Sequence, residues 1–190
     1  MKKHALSIFA LLMLAALLAS CALLPGLPSQ TGLKKTSPSD FLYELDSSSE
    51  TYAIVGLAES GKDKEMLVIP ASYTGSDGVS RPVNAIDEGA FAGCTVAKTV
   101  VVGPRSVDFI SLGASAYANS SIESIYLFVP CGTFGAGSIR TGNADLKVYI
   151  SSEYYSDYTV DYSWADVIYT SPELNLETTK SYESVISDAN

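Results

Sequence analysis

Apolar and polar positions alternate along this chain in short runs, and the runs recur. Phe41-Leu42-Tyr43-Glu44-Leu45 begins an alternation, Asp46 to Glu50 is polar and turn-like, and Tyr52 to Leu57 resumes the alternation. The two runs and the break between them predict a β-hairpin. A charged loop from Glu59 to Glu65 leads to Met66-Leu67-Val68-Ile69, a further strand ending at Pro70. Strand-like runs return at Val100-Val101-Val102, at Ile125 to Val129 and at Leu146 to Ile150, and a last one is expected at Val167-Ile168-Tyr169. Val100, Ile125 and Val148 follow one another at nearly equal steps, the mark of an internal repeat. A second motif keeps the same pace. Ile86-Asp87-Glu88-Gly89-Ala90-Phe91 is echoed one step later by Leu112-Gly113-Ala114-Ser115-Ala116-Tyr117, an aliphatic residue, three spacers, Ala and an aromatic.

A strand of about five residues is not stable alone. Stacked in parallel with its copies it satisfies its backbone groups, and the inward aliphatics fuse into one core. Val100, Val102, Ile125, Leu127, Val148 and Ile150 are assigned to that core. A step of roughly 25 residues with one short strand in each is that of leucine-rich solenoids. The predicted fold is therefore mainly β: a leucine-rich-repeat solenoid whose short strands stack into a parallel sheet, preceded by an N-terminal β-hairpin. A β-sandwich is the competing architecture. In this reading the aromatic of the echo, Phe91 or Tyr117, fills the convex side of each coil. Cys94, just after Phe91, is expected to be a small packing residue. A disulfide between Cys94 and Cys131 is the other possibility.

Particular stretches also resemble a known family. The segments "YAIVGL", "LVIPASYTG" and "VNAIDEGAFAGCTV", and the closing "LKVYISSEYYSDYTVDYSWADVIY" with Trp164, look like the BspA-type leucine-rich repeat over about residues 41 to 170. The match is most specific over 83 to 94 and 144 to 168 and weaker between. Asp87 stands where that pattern usually has Gly, and 131 to 143 is short and glycine-rich. The resemblance implies adhesion or host-protein binding.

The N-terminus carries a different signal. Lys2 and Lys3 precede an apolar stretch from Ala5 to Leu18, too short to span a bilayer, which takes about 20 residues. Leu18-Ala19-Ser20-Cys21 resembles the bacterial lipobox. By that resemblance the chain is cut after Ser20 and Cys21 is the lipid attachment site. More than one acyl chain is needed for stable anchoring. The expected organisation is a lipoprotein signal peptide (1–20), a lipidated flexible tether rich in Pro, Ser and Gly (21–39), the hairpin (40–58), a degenerate solenoid (59–170) and a polar C-terminal tail (171–190), the last read as a tail or a short capping helix.

Composition narrows the chemistry. Loss of Lys2 and Lys3 with the signal leaves 10 basic against 21 acidic side chains, a formal charge of −11. Nucleic acid is not an expected partner of such a surface. His4, within the signal, is the only histidine, so the mature part has no imidazole for a Ser-His-Asp or Cys-His site or for zinc. Asp87, Glu88, Asp157, Asp161 and Asp166 have the type needed for a carboxylate pair, but nothing in their spacing joins two of them. No calcium-loop, phosphate-loop or CxxC pattern occurs. The expectation is a non-enzymatic chain with no cofactor and no metal site.

Tyrosine is abundant, 12 residues of 190, and crowds between Tyr149 and Tyr169. With alternate residues inward, Tyr126, Phe128, Lys147 and Tyr149 point out of the sheet. Aromatic rings with a polar tip are frequent interface anchors, so these four are the candidate partner-binding residues. The competing reading is that they pack against the tail. The expected role is a protein anchored to the membrane by lipid in the bacterial envelope, extracytoplasmic, binding a protein or glycan. The alternative is a structural envelope protein.

Overall fold

The computed structural model describes residues 32–104, 110–130, 132, 133, 135, 138, 139, 146–154 and 181–187. Cys21, Cys131, Phe134, Trp164, the strand expected at Val167–Tyr169 and the carboxylates of Asp157, Asp161 and Asp166 lie outside them.

The hairpin forms as the alternation predicts: β1 (Phe41–Asp46) pairs antiparallel with β2 (Thr51–Leu57), with a register shift between Leu42 and Tyr43. Asp46 closes the turn. Its carboxylate accepts from the hydroxyls of Ser48 and Ser49 and from the Ser48 N–H, and those donors hold it at about 2.

Next come β3 (Met66–Ile69), β4 (Ser72–Thr74), β5 (Ser80–Ile86), β6 (Thr99–Val102), β7 (Ser111–Leu112), β8 (Ser124–Leu127) and β9 (Lys147–Ile150). They divide between two sheets. In the first, β3, β6, β8 and β9 lie side by side, all parallel and in unbroken register, Leu67 beside Val100, Ile125 and Val148 in turn. In the second, β2, β5 and β7 run parallel, bringing Ile54, Ile86 and Leu112 into line. That line reaches the next coil, where the Leu112 N–H donates to Thr133 and the Gly135 N–H to Leu112. The hairpin is thus part of the solenoid, since β2 supplies the first strand of its second sheet. β4 folds back on β5 as an antiparallel flap, which is why the first coil is longer than the later ones.

The core lies between the two sheets. Leu67, Ile69, Val100, Val102, Ile125, Leu127, Val148 and Ile150 enter from one side and Ile54, Val83, Ile86 and Leu112 from the other, all buried. The six core residues assigned from the alternation are all among them. Each such side chain contributes about 1.5–3 kcal/mol on burial.

The echo in the sequence is a structural repeat. Ile86 pairs with Leu112, and the rings of Phe91 and Tyr117 stack at 5.5 Å and 27°. Between them the coils are laced by Gly89, Phe91 and Gly93 N–H groups donating to Ala114, Ala116 and Ala118. Even the unusual backbone angles repeat: Gly89 and Gly93 have φ of 65° and 71°, and Ser115 and Asn119, at the matching places of the next coil, have 53° and 54°. The first coil spends glycine on this left-handed geometry, whereas the second imposes it on Ser and Asn. Gly113 has its own reason. A methyl group there would strike the backbone of Asp87 and Glu88 in the preceding coil. Cys94 is unbridged and packs partly buried against the core.

One terminal expectation differs from the structure, and of the two readings of the other the helical one is observed. Residues 34–36, placed in the flexible tether, run along the free edge of β3: Lys35 bridges Met66 in parallel, the Met66 N–H donates to Lys34, and the Thr36 N–H to Met66. Side-chain alternation gives no sign of this because the contacts are backbone bonds and polar ones, the Thr36 hydroxyl accepting from the Val68 N–H and donating to the Val68 carbonyl. The tail contains a helix, α1 (Tyr182–Ser187). It packs on the outward face of the four-stranded sheet, with Met66, Val101, Phe128 and Val185 forming a second buried cluster.

The candidate functional site on the outward sheet face

The register of the four-stranded sheet fixes which side chains stand together outside it. One row reads Met66, Thr99, Ser124 and Lys147, and the next but one along each strand reads Val68, Val101, Tyr126 and Tyr149. Adjacent strands lie about 4.8 Å apart, and the Tyr126 and Tyr149 rings stack at that spacing, 4.6 Å between centroids and 11° from parallel. Lys147 is exposed, and both tyrosines are half-buried. Of the four predicted residues, Tyr126, Lys147 and Tyr149 therefore form one outward group on β8 and β9.

Phe128 belongs elsewhere. The ladder continues past β8, with the Phe128 N–H donating to Val102, and its ring does leave the core. Only 8% of it is exposed, because Tyr182 of α1 meets it edge-on at 5.6 Å and 76°. It contacts the tail, not solvent.

Sequence reasoning missed that Met66, Val68 and Val101 belong to the same face. Val101 points out of the sheet and is completely buried. The signal was present: Met66 to Ile69 and Val100 to Val102 are continuous apolar runs, which mark strands covered on both faces.

α1 is positioned from both ends. Ser181 caps it, its hydroxyl accepting from the Ser184 N–H at 3.2 Å. At the far end the Lys35 ammonium donates to the Ile186 carbonyl at 3.0 Å, a cation where the helix terminus is partly negative. Tyr182 lies over Gly103, where any side chain would collide with its ring.

Asp87 lies beside the hairpin, its N–H donating to Ile54, and its carboxyl is raised by burial and then by the charge of Glu44. Among the described residues no three His, Cys, Asp or Glu side chains are grouped to hold a metal ion, and no helix is long and apolar enough to cross a membrane.

The fold is a mainly β solenoid whose short strands stack into parallel sheets. Two solved structures are similar to it. A leucine-rich repeat protein from Bacteroides capillosus ATCC 29799 is 23% identical over 60% of this chain and 70% of that one, with a TM-score of 0.39. A leucine rich cell surface protein from Faecalibacterium prausnitzii A2-165 is 17% identical over 64% of this chain and 31% of that one, with a TM-score of 0.46. No protein-family model and no curated protein matches the chain.

Proposed function

We propose that this chain is a lipid-anchored, extracytoplasmic binding protein of the bacterial envelope, and that its solenoid recognises a protein or glycan partner through the β8–β9 part of the outward sheet face. The observation that carries the reading is the Tyr126–Tyr149 stack beside exposed Lys147. The three side chains rise from adjacent strands locked in register, so the surface is organised before any partner arrives, and little ordering is required on binding. Tyrosine offers a flat apolar face with a hydroxyl tip, suited to a protein side chain or to a sugar ring. The lipobox resemblance at Leu18 to Cys21 supports the anchoring half of the proposal.

Two experiments test the two halves. Capture of partners from envelope and host extracts by the chain should be lost on Tyr126→Ala with Tyr149→Ala while the thermal transition persists. Undiminished capture by that pair removes the proposed surface. Cys21→Ser should abolish both processing and membrane association, and unchanged fractionation refutes the anchor. Protease shaving of intact cells then reports whether the solenoid faces the outside, as adhesion requires, or stays enclosed as a structural envelope component does.

A further inference from the structure

The tail helix shows what kind of ligand the neighbouring part of this face accepts. α1 has six residues, less than two turns, and a helix that short does not persist in water alone. Its conformation is therefore supplied by the sheet it lies on. The contacts follow helical spacing: Tyr182, Val185 and Ile186, at positions i, i+3 and i+4, turn toward the sheet, while Glu183 and Ser187 are exposed. The sheet answers with a shaped surface. Gly103 leaves the hollow that receives the Tyr182 ring, Phe128 walls it edge-on, and Met66 and Val101 floor the site of Val185. Lys35 supplies a cation for the helix C-terminus. Met66 adds an adaptable side chain of the kind found where helices are accepted with tolerance.

We propose that the outward face of β3, β6 and β8 is a docking surface for a short amphipathic helix of a partner protein, with an aromatic residue at i and aliphatic residues at i+3 and i+4, and that α1 is the self-ligand occupying it. This rests on the reading of the outward sheet as the binding surface and narrows the partner to a protein. It is helix-in-groove recognition, with the sheet as the groove. Of α1's own side chains only Val185 is buried, though the helix also covers Met66, Val101 and Phe128, and a better-matched helix would compete with it for that face. Displacement leaves Phe128 and Val101 beside the Tyr126–Tyr149 stack as one continuous surface.

The test uses the full chain carrying Tyr182→Ala and Val185→Asp, which unseat α1 without touching the sheet, and a fluorescent synthetic peptide of residues 179–190. Fluorescence anisotropy should show the peptide binding the variant in the micromolar range, roughly tenfold or more tighter than it binds the unaltered chain, where the attached copy competes. Phe128→Ala in the variant should remove that binding. A variant that keeps its thermal transition yet ignores the peptide overturns the proposal, as does equal binding with and without α1 in place. So does capture of soluble glycans, and not the peptide, by the uncovered face. Hydrogen exchange on the unaltered chain decides the matter if the variant fails to fold. Amides of Ser184 to Ser187 should be protected roughly a hundredfold less than those of Val101 and Tyr126, and equal protection makes α1 an integral part of the core and overturns the proposal. Failure here leaves the Tyr126–Tyr149 surface standing if partner capture still depends on those two residues. Peptide binding without such dependence sinks only the wider reading.

Discussion

Phe91 tests how the coils are joined. Its ring sits between Phe41 of the hairpin, edge-on at 6.1 Å, and Tyr117 of the following coil, stacked at 5.5 Å. One side chain thus bridges three successive segments, and it is 1% exposed. Replacing it with Ala removes the buried ring and opens a cavity between coils that the backbone ladder from 89–93 to 114–118 prevents from collapsing. The expected loss is about 3–5 kcal/mol, the range for a buried aromatic reduced to Ala. At about 2–4 °C per kcal/mol for a domain of this size, the melting temperature should fall by roughly 6–20 °C. Urea unfolding followed by circular dichroism gives the free energy directly, and a double-mutant cycle with Tyr117→Leu isolates the ring contact at about 0.5–1.5 kcal/mol. Leu42→Ala, at a position 49% exposed, is the control and should stay within about 0.5 kcal/mol. A loss below about 1 kcal/mol for Phe91→Ala, or one matched by the control, refutes the claim that the aromatic layer joins the coils.

Other consequences follow from single positions. Ser115→Gly should stabilise the chain by about 0.5–1 kcal/mol in urea unfolding, because its φ of 53° repeats the left-handed angle of Gly89 and glycine relieves the strain; no gain would mean the angle is unstrained. Gly113→Ala should destabilise by more than about 2 kcal/mol by forcing a methyl group against the Asp87–Glu88 backbone. Burial disfavours the Asp40 carboxylate, but donation from the Ser37 N–H, the Ser60 and Ser37 hydroxyls and the charge of Lys64 outweigh it and leave its carboxyl below the ordinary range. A carboxyl lowered on folding adds stability that is complete above its unfolded value, about 4, and fades as pH falls through the lower folded value. Melting curves should therefore show Asp40→Asn less stable than the unaltered chain at neutral pH, with the gap closing below about pH 4; a gap independent of pH would deny the ionised hydrogen bonds.

Much of this architecture was legible because burial on one side of a short strand leaves a two-residue alternation, and stacking leaves a slower repeat of coils. The pairing of Ile86 with Leu112 and of Phe91 with Tyr117 needed only the echo. The second sheet was harder to see. In β5, Ser80 to Ile86, only Val83 and Ile86 are buried, and Pro82 interrupts the pattern, so its place depends on β2, which lies well before it in the chain. The edge segment at Lys35 left no trace because backbone bonds and the polar side chains of Lys34 and Thr36 hold it, not an apolar alternation. At the site, the outward direction of Tyr126, Lys147 and Tyr149 was readable from alternation. The burial of Phe128 was present only as the competing reading, packing against the tail, because the helix that covers it lies far along the chain. The apolar spacing of that helix is visible at Tyr182, Val185 and Ile186, but its landing place is set by the hollow over Gly103.

The solenoid itself is tested most directly by interstrand nuclear Overhauser effects across Val68, Val101, Tyr126 and Tyr149 in an isotope-labelled sample. Parallel strands in this register should give amide-to-α-proton contacts linking each residue of the row to its neighbour's strand, with no close α–α pairs. Strong α–α contacts between any two of these strands would make the pairing antiparallel and contradict the account.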